Sequence, residues 1–201
     1  FLKHLLRLSI NNRINEFSFN VSSDVNLLDS VIKNLDMNKV LAYMESNNIE
    51  HSIHIKLLYY AMLCNLNVND NSTYLSFKEL LFSSKEKLTK IEFQHLLHLL
   101  ESVIAQKINS GKLEFYNDLH ETYDYELKND MYKPSKQAPL TVMKYRNIYL
   151  SALKAGKFDW AERFILDYRD DLQKQDRQSI VELSMAQLNF EKRNFEETLS
   201  H

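Results

Sequence analysis

The sequence predicts an all-α chain of antiparallel helical hairpins, and three observations lead there. First, the 201 residues include only two Gly and two Pro, where average usage would supply about 14 and about 10. Tight β-turns and phosphate-binding loops rely on glycine, whereas helical hairpins can turn on Asn, Ser, Asp and Lys. Second, apolar residues recur at helical spacing almost throughout, and no stretch sustains the alternation of a strand. Third, two helix–turn–helix junctions repeat, with Phe158 and Phe195 at equivalent places 37 residues apart.

In chain order, Phe1-Leu-Lys-His-Leu-Leu-Arg7 reads as the inside of a helix, with neither Met nor the layout of a signal peptide. Asn194 to His201 reads as a helix just beginning, so the expectation is a piece of a longer chain. Residues 24–46 hold one or two short helices carrying Val40, Leu41 and Met44. Residues 49–64 are apolar nearly all round (Ile53, Ile55, Leu57, Leu58, Tyr60, Ala61), the pattern of a buried helix. The polar stretch Asn65 to Ser72 separates it from a helix at 73–83.

Thr89-Lys-Ile-Glu92 is a capping box, in which the Thr hydroxyl satisfies one free amide and the Glu carboxylate reaches back to another. The helix it opens carries Phe93, Leu96, Leu97, Leu100 and Ile104, and Gly111 ends it where the chain turns left-handed. Leu113, Tyr116, Leu119, Tyr123 and Leu127 mark the next helix. Met131 to Pro139 contains both prolines and is the expected linker between residues 1–130 and 140–201. Helices are then expected at 141–155, closed by Gly156, at 158–172 and at 177–192. The second of these carries Trp160 and Phe164 on a stripe adjoining its core one.

Composition narrows function. A net charge of −2 gives no global field toward nucleic acid or an anionic membrane. One cysteine, Cys64, excludes an intrachain disulfide framework and fits a reducing compartment. No apolar run approaches the roughly 20 residues of a membrane span, and the single cysteine with the lack of a signal-peptide layout makes a cytoplasmic location the default expectation. There is no Gly-x-Ser-x-Gly elbow and no Gly-rich phosphate cradle. A thiol in a buried helix is ordinarily inert packing.

Two His-x-x-His pairs, His51/His54 and His95/His98, place imidazoles side by side on a helix. Glu92-x-x-His95 resembles half of a carboxylate-bridged di-iron site, but the second Glu-x-x-His is missing. Structural zinc wants four ligands. The expectation is therefore a hydrogen-bonded core histidine at His54 and exposed imidazoles at His95 and His98. No catalytic residue, cofactor or metal ligand is expected.

The junction Leu153-Lys-Ala-Gly-Lys-Phe-Asp-Trp-Ala-Glu-Arg-Phe164 resembles the hairpin of a tetratricopeptide repeat, where a Gly-x-aromatic-x-x-Ala run joins paired helices. Ala186-x-x-x-Phe190 followed by Asn194-Phe-Glu-Glu-Thr-Leu199 is similar, with Arg193 in place of the glycine and Thr198 in place of the alanine. The proline usual after the second helix is absent, and Asp171-Leu-Gln-Lys stands there. The likeness covers about one and a half repeats in residues 141–201. It implies an α-solenoid, a right-handed superhelix of stacked hairpins that presents a groove to a protein or peptide.

Charge is segregated. Residues 114–130 hold six acids against Lys128 alone, and residues 131–158 hold six cations (Lys133, Lys136, Lys144, Arg146, Lys154, Lys157) and no acid. These segments either neutralise each other or offer a basic patch to an acidic peptide or a phosphate backbone. Met143, Arg146, Leu150 and Lys154 form one stripe apart from the core face, and Ile180, Leu183, Gln187 and Phe190 form another. The resemblance implies that first helices line the groove. Met143, Arg146, Leu150, Lys154, Leu183, Gln187 and Phe190 are thus the expected partner surface, and packing between repeats is the other reading. Leu150 stands where a clamp for acidic C-terminal peptides would want a polar side chain, so that specialised activity is not expected. The expected function is an interaction scaffold for a protein or peptide, without catalysis; the alternative is a nucleic-acid-binding repeat using residues 133–157.

Overall fold

A computed structural model describes residues 1–19, 27–135 and 137–192. Among them ten α-helices follow one another: α1 (Leu2–Phe19), α2 (Leu27–Asn34), α3 (Met37–Ser46), α4 (Ser52–Leu66), α5 (Asn71–Ser83), α6 (Lys90–Asn109), α7 (Tyr116–Lys128), α8 (Val142–Lys154), α9 (Phe158–Asp167) and α10 (Lys174–Glu191). There is no strand among the described residues, as the composition predicts. No helix among them is long and apolar enough to cross a membrane. The chain forms two compact units, Phe1–Gly111 and Lys112–His201.

In the first unit α4 packs against α1, α3, α5 and α6. A helix apolar on nearly every face can only be placed this way, and Leu57, Leu58 and Ala61 are fully buried. Burying each leucine is worth about 1.5–3 kcal/mol relative to leaving it in water. The capping box forms as read: the Glu92 amide donates to Thr89 Oγ1 (3.2 Å), and the Thr89 amide donates to Glu92 Oε2 (3.1 Å). α5 starts at Asn71 rather than 73 because Asp70 caps it, with Oδ1 accepting from the amides of Ser72 (2.9 Å) and Thr73 (3.1 Å).

In the second unit α8 packs against α7, α9 and α10, and α9 also packs against α10. Ala161, fully buried, lies in the hairpin where the sequence called for a small residue. Residues 131–139, the expected linker, fall inside this unit. There the Tyr132 hydroxyl (2.8 Å) and Lys133 Nζ (2.6 Å) both donate to the Asp171 carboxylate.

Gly111 adopts the left-handed backbone expected of it, with φ +95°, and Gly156 does so too, with φ +72°. After α8 the Gly156 amide donates to the Leu153 carbonyl (3.0 Å) and the Lys157 amide to that of Ala152 (2.8 Å), a complete Schellman turn. The same turn follows α3 and α7 without glycine. Asn48 (φ +48°) and Asp130 (φ +52°) take the left-handed position. The next amides, Ile49 and Met131, donate to Met44 (2.9 Å) and Glu126 (2.8 Å).

Within each unit, side chains tie alternate helices at a near-constant separation in sequence. His54 of α4 meets Glu92 of α6 after 38 residues. Tyr149 and Lys154 of α8 meet Gln187 and Glu191 of α10 after 38 and 37. Trp160 of α9 meets Asp124 of α7 across 36.

Candidate functional site

The rotation of α8 decides what its outer face offers. Thr141 caps the helix, its Oγ1 accepting from the Lys144 amide (3.2 Å). Tyr145, Ile148, Tyr149, Ala152 and Leu153 then turn inward. Two hydroxyls lock that rotation: Tyr145 donates to the Ile165 carbonyl (2.8 Å), and Tyr149 donates to Gln187 Oε1. Burial raises the pKa of both tyrosines, so these donors keep their protons.

The seven expected partner residues therefore lie on two helices packed side by side, and they divide in two. Met143 (74 % exposed), Leu183 (50 %) and Phe190 (58 %) face outward, with Arg146 exposed and Leu150 half-buried. Gln187 accepts the Tyr149 hydroxyl, and Lys154 Nζ lies 2.6 Å from Glu191 Oε1. Those two side chains tie α8 to α10.

Three of the six cations of the basic segment, Lys133, Lys144 and Lys154, are paired with acids inside the protein. Lys144 Nζ lies 2.6 Å from Oε2 of the fully buried Glu126 and 4.5 Å from the Tyr123 ring centroid. The acidic α7 and the basic α8 are thus neighbours there. Lys133 pairs with Asp171 and Lys154 with Glu191. Arg146 and Lys157 make no ion pair among the described residues, and Lys136 lies outside them. The repeat matches at Arg193, Phe195 and Thr198 also lie outside the described residues.

A second concavity, of about 450 Å³, opens between α7 and α9 and is lined by His120, Asp124, Lys128, Trp160, Asp167 and Tyr168 among others. Its wall is a column of rings. Trp160 stacks on Phe164 (centroids 5.6 Å apart, 3° between planes), and Phe164 stacks on Tyr168 (5.0 Å, 23°). His120 closes one end edge-to-face on Trp160 (4.5 Å), and Tyr132 closes the other on Tyr168 (5.4 Å). Trp160 Nε1 donates to Asp124 Oδ1 (3.1 Å), and Lys128 Nζ sits 2.6 Å from Asp124 Oδ2. Sequence reasoning did not find this cleft. The available signal was the i, i+4, i+8 run of Trp160, Phe164 and Tyr168.

In the first unit His51 and His54 both approach Glu92. His54, fully buried, has Nδ1 2.6 Å from Glu92 Oε1, and His51 Nδ1 stands 3.6 Å from the same oxygen. Burial raises the Glu92 carboxyl, but hydrogen bonds from His54 and Thr89 outweigh it and bring the pKa to about 2. Glu92 is thereby spent on a cap and a core histidine, the role expected of His54. His98 is exposed as expected, but His95 is not. Its Nδ1 is buried without a hydrogen-bond partner among the described residues. Burial, reinforced by the nearby charges of Arg7, His54, His98 and Lys3, lowers its pKa to about 4. Cys64 is buried, and burial pushes its thiol up to about 12, the inert state expected. Comparison with known proteins finds no matching family model, no matching curated protein and no matching solved structure.

Proposed function

We propose that this chain is a tetratricopeptide-like helical repeat that acts by binding a protein or peptide on the outer face of α8 and α10, and not by catalysis. The observation that carries the reading is the exposure of Met143, Leu183, Phe190 and Arg146 on two helices held in register. Large apolar side chains grouped beside an arginine are what partner surfaces use as anchors. The hydrogen bonds between alternate helices at separations of 37 and 38 residues support stacked repeats of that length, close to the spacing of Phe158 and Phe195. The engagement of Lys133, Lys144 and Lys154 by acids favours a peptide over a phosphate backbone.

The test is a peptide array graded in acidic and apolar content, probed with wild type and with an Arg146→Glu/Phe190→Ser variant of equal helicity. Wild type should select peptides combining apolar anchors with acids, and the variant should lose them by at least about tenfold, the scale of one hot spot. Equal selection by the two proteins would remove this face from consideration.

A further inference from the structure

The cleft between α7 and α9 is a separate matter from the α8–α10 face, and its chemistry is more specific. Its wall is apolar and aromatic, from Leu127, Trp160, Phe164 and Tyr168. Two carboxylates, Asp124 and Asp167, also line it. Asp124 is fixed by the indole N–H of Trp160, which leaves Oδ2 turned to Lys128. Asp167 makes no ion pair among the described residues. Arg163, one turn before it on α9, also lines the cleft, its Nε donating to the Asp159 carbonyl (3.3 Å). His120 is 92 % buried by its 8 % exposure, and its Nδ1 has no hydrogen-bond partner among the described residues. Burial lowers the His120 pKa, so it adds no positive charge at neutral pH. Burial and then the carboxylates of Asp171, Asp167, Asp130 and Asp124 raise the pKa of the Tyr168 hydroxyl.

A cleft lined by an apolar wall and by carboxylates suits a side chain with an aliphatic stem and a cationic head. The chain already supplies one: Lys128, whose side chain is 70 % exposed, places its ammonium on Asp124. We propose that the α7–α9 cleft receives a lysine or arginine side chain of a partner polypeptide, its stem along Trp160 and Tyr168 and its head on Asp124 and Asp167. Lys128 holds the place of that cation in the free protein and swings away when the partner enters. The exchange is charge for charge, so the cleft is never left with an uncompensated carboxylate pair.

Trp160 is the sole tryptophan, so intrinsic fluorescence reads this cleft directly. The probes are capped hexapeptides identical except for one central position carrying Arg, Lys, norleucine or Glu. The Arg and Lys peptides should shift the emission saturably, and the norleucine and Glu peptides should not. Lys128→Ala should tighten binding about threefold by removing the competitor, and Asp167→Asn should weaken it about three- to fivefold, the scale of a partly exposed ion pair. Both positions are at the surface, and far-UV circular dichroism checks that each variant keeps its helices. The proposal is overturned if no peptide shifts the emission, if norleucine binds as well as lysine, or if Lys128→Ala weakens binding.

Discussion

Between α4 and α6 the tie is a hydrogen bond to a carboxylate, with Glu92 accepting from buried His54 while also capping its own helix through Thr89. Between α7 and α9 it is aromatic, a run of stacked rings from His120 to Tyr132 with one indole hydrogen bond to Asp124. Both join helices two apart in the chain, yet they fail differently. Stacked rings lose strength only when volume is removed. A carboxylate that holds a buried histidine depends on protonation as well as on shape.

The largest expected effect belongs to the rings. Phe164, 2 % exposed and stacked on both faces, should cost about 3–5 kcal/mol when changed to Ala. Urea unfolding followed by Trp160 fluorescence measures it, because that indole is part of the column. Next, Glu92→Ala removes a helix cap and leaves His54 Nδ1 buried without an acceptor, for about 2–3 kcal/mol. It should appear as faster amide exchange in α4 and α6 with little change in the Trp160 transition. Should both variants shift that transition equally, the two ties are not separate.

Acid sharpens the contrast. Burial lowers the folded pKa of His54, His95 and His120 from the ordinary 6.5, reaching about 4 at His95. The unfolded chain therefore takes up these protons first as pH falls. Stability is complete above about 6.5 and declines down to about 4. Glu92, lowered from 4.5 to about 2, acts in the adjoining window: its contribution is present above 4.5 and is lost as pH falls through 2. Residues 1–111 thus face two successive acid steps. His95→Gln should reduce the loss of stability between pH 6.5 and 5, measured as circular-dichroism urea midpoints at the two pH values.

The smallest effects lie in the turns. A Cβ on Gly156 would meet nothing within 4 Å, so Gly156→Ala should cost only the backbone term at φ +72°, about 1 kcal/mol. Asp130→Gly, at φ +52°, should run the other way by about 0.5 kcal/mol, since glycine also gains entropy when unfolded. Thermal melts of the two variants give opposite signs or show that the left-handed position is not what limits these turns.

Local chemistry was the legible part of this chain. The left-handed glycines, the capping box at Thr89 and Glu92, and the buried α4 each follow from a few adjacent residues. Asn48 and Asp130 escaped notice because Asn and Asp are common in turns of every kind, and only the backbone shows which one is left-handed. His95 was read as exposed from the stripe of its own helix. Lys3 and Arg7 of α1, far away in sequence, lie close enough to bear on it. At the α8–α10 face the spacing puts Met143, Arg146, Leu150 and Lys154 on one stripe, but it could not separate Arg146 from Lys154, because pairing with Glu191 is set by how the helices align.

The spacing of the ties makes chain length itself a structural variable. Tyr149 and Lys154 must both find partners on α10, after 38 and 37 residues. One residue inserted into α8 between them would rotate one tie by about 100° relative to the other. The same insertion in the turn after α9, ahead of Asp171 whose carboxylate holds Tyr132 and Lys133, would leave the two ties in phase with each other. Insertions and deletions should therefore be tolerated at the hairpin tips and rejected inside the helices, while loss or duplication of a whole tie-to-tie stretch would restore the alignment.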